Sequence, residues 1–142
     1  MNSGSHMFIA NGKKDNPIAN MLNKKKFTHF LPKISSIDAK KKWIIGSLNS
    51  NGTIKIDDGA AKALLNGKSL LAAGVNRING SFEKGENVLI LDQNNNQLAR
   101  GLSSFSSEEI DKIKGKQSKE IEKILGYLSK TEIIHKDDMV LL

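Results

Sequence analysis

The stretch Asp57-Asp58-Gly59-Ala60-Ala61-Lys62-Ala63-Leu64-Leu65-Asn66-Gly67, running on through Lys68-Ser69-Leu70-Leu71-Ala72-Ala73 to Gly74-Val75, leaves a chain few ways to fold. Asp57 or Asp58 can accept hydrogen bonds from the free amides at a helix start, and Gly67 can take the left-handed conformation that ends one. The helix between them is rich in alanine, so it can sit tight against a sheet. It delivers the backbone straight into an apolar segment. A strand must feed this unit, and further strands must lie beside it.

The feeding strand is legible. Thr53-Ile54-Lys55-Ile56 alternates polar and apolar residues as a half-buried strand does, and Asn49-Ser50-Asn51-Gly52 before it is a turn signal. Lys40-Lys41-Lys42-Trp43-Ile44-Ile45-Gly46-Ser47-Leu48 reads as a further strand preceded by a basic run. Trp43, the single tryptophan, is expected in the core, with base stacking as its alternative beside those lysines.

Downstream, Asn76 to Phe82 continues as a strand, and Asn87-Val88-Leu89-Ile90-Leu91 is continuously apolar, which places it deep in the sheet. The polar loop Asp92-Gln93-Asn94-Asn95-Asn96 suits a hairpin returning through Gln97 to Leu102. Two packing helices follow. Ser106 and Glu109 have capping-box spacing ahead of Ile110 and Ile113, with Gly115 as the stop. Ser118 is the expected cap of the next helix, whose Ile121, Ile124, Leu125 and Leu128 share one face. Glu132 to His135 and Met139 to Leu142 are closing strands around the charged turn Lys136-Asp137-Asp138. Short strands with glycine punctuation predict a mainly β fold with α, an α+β domain built as a small, partly closed barrel with flanking helices.

The N-terminal part has a different character. Met1 to His6 is polar and patternless and reads as an expression scar. Met7-Phe8-Ile9-Ala10 is a short strand ending at Asn11-Gly12. Asn16-Pro17 then offers a cap and a first-turn proline for a helix carrying Ile18, Met21 and Leu22, expected to end in Lys24-Lys25-Lys26. Phe27-Thr28-His29-Phe30-Leu31-Pro32 is expected as an extended connector. One strand and one short helix cannot bury a core, so this piece either docks on the rest or belongs to something larger.

Composition narrows the chemistry. The 142 residues and 38% hydrophobic content suit one compact domain plus an appendage. There is no cysteine, hence no disulfide, thiolate metal site or thiol nucleophile, and a reducing cytoplasm is compatible. No apolar run approaches the roughly 20 residues of a membrane helix, so a soluble protein is expected. The net charge of +7 permits a polyanionic partner without demanding one. His29 and His135 stand without a nucleophile-elbow serine. His135, Asp137 and Asp138 lack a recognised ligand spacing and read as a turn. Gly67-Lys68-Ser69 mimics a phosphate loop but lies at a helix end, where the dipole disfavours phosphate. No catalytic, cofactor or metal residues are assigned.

Several ordered motifs together resemble one family. Lys42-Trp43-Ile44, Asp57-Asp58-Gly59-Ala60, Lys68 to Val75, Gly80-Ser81-Phe82, Ala99-Arg100-Gly101-Leu102, Lys114-Gly115, Ile124-Leu125-Gly126 and Ile134-His135-Lys136-Asp137-Asp138-Met139 resemble the C-terminal PUA domain of bacterial glutamate 5-kinases. Phe8-Ile9-Ala10-Asn11-Gly12 and its helix are similar to the last strand and helix of that family's amino-acid kinase domain. Lys41, Lys42 and Lys136 stand where the family often has arginine.

With 1–6 set aside as the scar, the resemblance implies a kinase-domain tail and linker over 7–32, which is a short strand–helix remnant of an α/β kinase domain, and a PUA domain over 33–142. It further implies a parent that phosphorylates the side-chain carboxylate of L-glutamate with ATP and magnesium, the first step of proline biosynthesis. The piece itself would carry neither cofactor and no activity. Its role would be regulation and assembly beside its own kinase domain, in a homo-oligomer, in the cytoplasm. The alternative implied by PUA domains elsewhere is docking of structured RNA by the first helix and following strand, here through Lys62, Gly67, Lys68 and Ser69.

Overall fold

The computed structural model describes residues 5–13, 15–23, 26–32, 35–46, 50–127 and 130–142. Lys24 and Lys25 of the expected basic helix end, Ser47, Leu48 and Asn49 of the expected strand and turn, and Leu128 of the expected helix face lie outside them. The chain divides into two compact units, Met1–Lys40 and Lys41–Leu142.

In the first unit, β1 (Met7–Ala10) pairs antiparallel with β2 (Phe27–Phe30), Met7 opposite Phe30 and Ala10 opposite Phe27. Phe27–Phe30 of the connector expected over Phe27–Pro32 is thus a strand, because β1 supplies the ladder partner. Phe8 stacks on His29 at 4.2 Å between ring centroids, yet every residue of both strands is solvent-exposed. Helix α1 (Pro17–Leu22) buries no side chain. Asn16 does not cap it through its side chain: at φ 52° it lies in the left-handed region instead of the extended geometry a side-chain cap uses. The helix closes on Asn23, whose amide reaches Ala19 O at 2.9 Å, so Lys26 falls beyond it.

The strand expected over Lys40–Leu48 is a helix, α2 (Ser36–Gly46). Ser35 explains the difference. Its Oγ accepts from the Asp38 amide at 3.0 Å and donates to Asp38 Oδ2 at 2.7 Å, a cap that starts the helix, and the lysines after it are good helix formers. The helical period then separates neighbours: Ile44 is fully buried, whereas Trp43 is 59% exposed. The core position expected for Trp43 is therefore wrong.

The second unit is built on a five-stranded mixed sheet in the order β5-β3-β6-β7-β9. Strand β3 (Gly52–Ile56) alternates as expected, with Ile54 and Ile56 fully buried. It pairs antiparallel with β5 (Val75–Gly80) and parallel with β6 (Asn87–Leu91). Strand β6, apolar from Val88 to Leu91, is the central strand, and its Val88 and Ile90 are fully buried. Its hairpin partner β7 (Gln97–Leu102) follows a loop held by Asp92, whose carboxylate accepts from the Asn94 and Asn96 amides at 2.8 Å each. Strand β9 (Met139–Leu141) completes the sheet, and β4 (Leu70–Leu71) pairs separately with β8 (Glu132–Ile134). The α+β composition is as expected. The barrel is not closed among the described residues: the sheet runs open from β5 to β9.

Helix α4 (Ser107–Ile113) carries the expected capping box, Ser106 Oγ accepting from the Glu109 amide at 3.3 Å and Glu109 Oε2 from the Ser106 amide at 3.0 Å. Helix α5 (Ser118–Leu125) begins at the residue expected to cap it, and its cap is one position earlier, at Gln117, whose amide donates to Glu120 Oε2 at 2.9 Å. Ser118 is inside the helix because Glu120, three residues after Gln117, completes the box. Ile110, Ile113 and Ile121 enter one core with Ile54, Ile56, Leu64, Val88 and Ile90.

Candidate functional site

Helix α3 (Asp58–Leu65) and its exit into β4 stand between two grooves of the second unit. Of the two candidate aspartates it is Asp57 that caps, Oδ1 accepting from the Ala60 amide at 2.7 Å, while its own amide donates to Gly74 O at 3.0 Å. These bonds tie the helix start to the turn Ala72–Gly74. A Cβ on Gly74 would fall 2.4 Å from Ala60 Cβ, so the alanine-rich face does lie hard against the backbone it feeds.

The helix ends in a double closure. With Gly67 at φ 72°, its amide reaches Leu64 O at 2.9 Å and the Lys68 amide reaches Ala63 O at 3.0 Å. Both amides are thereby consumed, so Gly67-Lys68-Ser69 cannot cradle a phosphate as a helix-start loop does. Ser69 Oγ accepts from the Lys136 amide at 3.0 Å, joining this exit to the 3-10 turn Lys136–Asp138.

Two grooves flank the resulting ridge. One, of about 540 Å³, has a floor of small residues including Ala60, Ala63, Ala73 and Gly74, with Lys68, Ser69 and Glu132 in its wall. The other, of about 370 Å³, lies beside Gly67 and Leu64 and brings Lys41, Lys136 and Asp137 together. The four residues expected to touch RNA are therefore divided. Lys68 and Ser69 share the first groove, Gly67 lines the second, and Lys62 is exposed on α3 and lines neither.

His135 serves the turn, its Nδ1 accepting from the Asp137 amide at 3.2 Å. Among the described residues no group of three or more His, Asp and Glu side chains could hold a metal ion. The titration shifts lie away from the ridge. Burial pushes the Glu109 carboxyl up, but hydrogen bonds from the Tyr127 hydroxyl and the Ser106 amide outweigh it and hold the group below its ordinary range. The same bond to Glu109 raises Tyr127. What sequence reasoning missed is the second groove, because Lys41 reaches it only on a helix, and Ser35-Ser36-Ile37-Asp38 was the available signal for that helix.

A PUA domain family model matches residues 52–125, from β3 through α5. The chain belongs to the PUA domain family. Over 138 residues, 97% of this chain and 38% of the relative, it is 59% identical to glutamate 5-kinase from Pelagibacter ubique (strain HTCC1062). It is 46% identical over 143 residues, 99% of this chain and 38% of the relative, to glutamate 5-kinase from Thermoanaerobacter sp. (strain X514). The chain thus spans 38% of the length of these curated relatives. A crystal structure of a PUA domain from Aeropyrum pernix K1, a tartrate complex, covers 60% of this chain and 41% of its own at 23% identity and a TM-score of 0.46. No helix among the described residues is long and apolar enough to cross a membrane.

Proposed function

We propose that the chain is the regulatory and assembly module of a glutamate 5-kinase, with a PUA domain over 33–142 and the end of an amino-acid kinase domain over 7–32. The observation that carries this reading is the alignment of 97% of the chain, both units included, with a glutamate 5-kinase at 59% identity. The first unit supports it: a two-stranded hairpin and a helix with no buried residue need further protein to complete a core. In the intact parent, ATP and magnesium would serve phosphorylation of the side-chain carboxylate of L-glutamate in the cytoplasm. The described residues do not fit those cofactors, since they offer no metal-holding group and the amides of Gly67 and Lys68 are already bonded. No step of phosphoryl transfer is assigned here.

The test compares three proteins for glutamate-dependent ATP consumption, mass by light scattering and inhibition by proline. They are this chain, a full-length glutamate 5-kinase carrying residues 41–142 of this chain in place of its own, and that kinase without the segment. An inactive chain, an active chimera, and altered mass or proline response on deletion are expected. Turnover by the chain alone, or a deletion that changes neither property, refutes the reading.

A second reading, docking of structured RNA at the exit of α3, draws on exposed Lys62 and Lys68 beside the first groove. Fluorescence anisotropy against a structured RNA pool at two ionic strengths decides it. Binding near physiological salt that Lys68→Glu abolishes supports it, and binding indifferent to Lys68 removes it.

A further inference from the structure

The five-stranded sheet ends on β5 and on β9, and the two edges differ. Strand β9 has three residues, too few to template much pairing. Strand β5 has six, of which Asn76, Arg77, Asn79 and Gly80 are solvent-exposed. The register shift between Lys55 and Ile56 falls at the start of β5, and residues 77–80 pair regularly with β3. Alternate residues of such an edge turn their N–H and C=O groups away from the sheet, a row ready to receive another strand.

Beside this edge runs a groove of about 440 Å³, lined by Ile78 and Gly80 from β5 and by Glu108, Asp111 and Lys112 from α4. Ile78 packs against the core but is only half-buried, so the groove leaves apolar surface to cover. The charges select the occupant. Asp111 is already paired with Lys114 at 2.6 Å. Glu109, the other carboxylate near Lys112, is bonded to the Ser106 amide and the Tyr127 hydroxyl. Glu108 and Lys112 are exposed, and four residues apart they lie along one face of α4. An anion and a cation one helical turn apart match the same pair turned end for end. A foreign peptide of either charge would meet one of them and be opposed by the other.

We propose that a second copy of this chain adds its β5 to this β5, antiparallel about Ile78, so that the two sheets run on as one. The two-fold axis sets Glu108 of each copy against Lys112 of the other, the self-complementarity that an isologous contact requires. It also sets Arg77 opposite Asn79 of the second copy, so the cations are not opposed, and brings the two Ile78 side chains together. Main-chain hydrogen bonds hold the seam, and the side chains fix its register. The pairing deepens the assembly role proposed above and needs neither glutamate nor ATP.

The 142-residue chain is followed by sedimentation velocity from micromolar to millimolar concentration, with exchange of the β5 amides read by NMR over the same range. The mass is expected to pass from one chain to two, and the β5 amides turned away from β3 to exchange more slowly as it does. Lys112→Glu makes the pair of positions acidic on both copies, and Glu108→Lys makes it basic on both. Each variant should weaken the dimer roughly 2- to 30-fold, the worth of two exposed ion pairs, and an equimolar mixture of the two should recover most of the loss. Both positions are exposed, so the variants should keep the parent's circular dichroism. A chain that stays monomeric overturns the proposal and leaves the edge to a strand of another protein. A dimer whose β5 amides exchange as freely as the monomer's also overturns it, and places the contact on the exposed hairpin of the first unit. So does a dimer that neither charge variant weakens. The kinase reading stands apart from all three, because glutamate-dependent ATP consumption by the chimera is a separate assay.

Discussion

Gly74→Ala tests the joint on which the second unit turns. The added methyl would stand 2.4 Å from Ala60 Cβ and 3.6 Å from Ala60 Cα, and the obstacle is a helix, which cannot swing aside as a flexible side chain does. Forcing a methyl group into packed surroundings costs about 1–3 kcal/mol. The same shift would strain the Asp57 amide bond to Gly74 O, 3.0 Å long. With an m-value of about 2 kcal/mol/M, a loss of about 2 kcal/mol lowers the urea midpoint by about 1 M, read by circular dichroism. Ala60→Gly removes the atom the new methyl meets, and alone it costs about 1 kcal/mol in helix propensity. The double variant should therefore lose about 1–2 kcal/mol, less than the sum of roughly 2–4 kcal/mol for the single changes. A neutral Gly74→Ala, or strict additivity in the double variant, refutes the close approach as the reason for glycine here.

Three further outcomes are expected. Gly67→Ala should destabilise by about 1 kcal/mol in the same urea assay, because an L side chain is strained at φ 72°; restoration by Asn, which tolerates that conformation, checks the cause. Asp57→Ala should cost about 1 kcal/mol through loss of the cap on the Ala60 amide, with Asp57→Asn retaining most of it. Glu109 gives a pH dependence: its folded-state pKa is depressed, so its contribution is complete above the unfolded value and fades as pH falls through the folded one. Melting temperatures between neutral and acid pH should thus fall less steeply for Glu109→Gln than for the parent. Tyr127→Phe, which removes one of the lowering hydrogen bonds, should shift the Glu109 titration in NMR upward.

The parts of the fold legible in the sequence are those whose signals are local. The Asp57 cap, the left-handed Gly67, the alternation of Ile54 and Ile56, and the Ser106–Glu109 box all rest on residues a few positions apart. The misread parts depend on distant partners or on a competition between periods. Phe27–Phe30 became a strand because Met7–Ala10 lies beside it, which no local pattern announces. In Lys40–Gly46 the β-branched and aromatic residues argued for a strand, but a cap at Ser35 and a buried slot for Ile44 favoured the helix. At the candidate site, the lysine at the exit of α3 was visible in sequence. The meeting of Lys41 with Lys136 was not, since it depends on the helical turn of one and the 3-10 turn of the other.

The bond between Ser69 Oγ and the Lys136 amide gives this division a functional consequence. It fastens the exit of α3 to the closing turn, so the ridge from Asn66 to Ser69 stands as a fixed wall with Lys68 facing one groove and Lys136 the other. The two lysines therefore line opposite sides of the ridge, and neither adds charge to the other's groove. Charge reversal at Lys68 and at Lys136 should therefore act on separate binding events, additively where both are present, since neither side chain lines the other's groove. Ser69→Ala removes the fastening but neither charge. It should loosen both sites together, and if it weakened only one, the ridge would not be a shared wall.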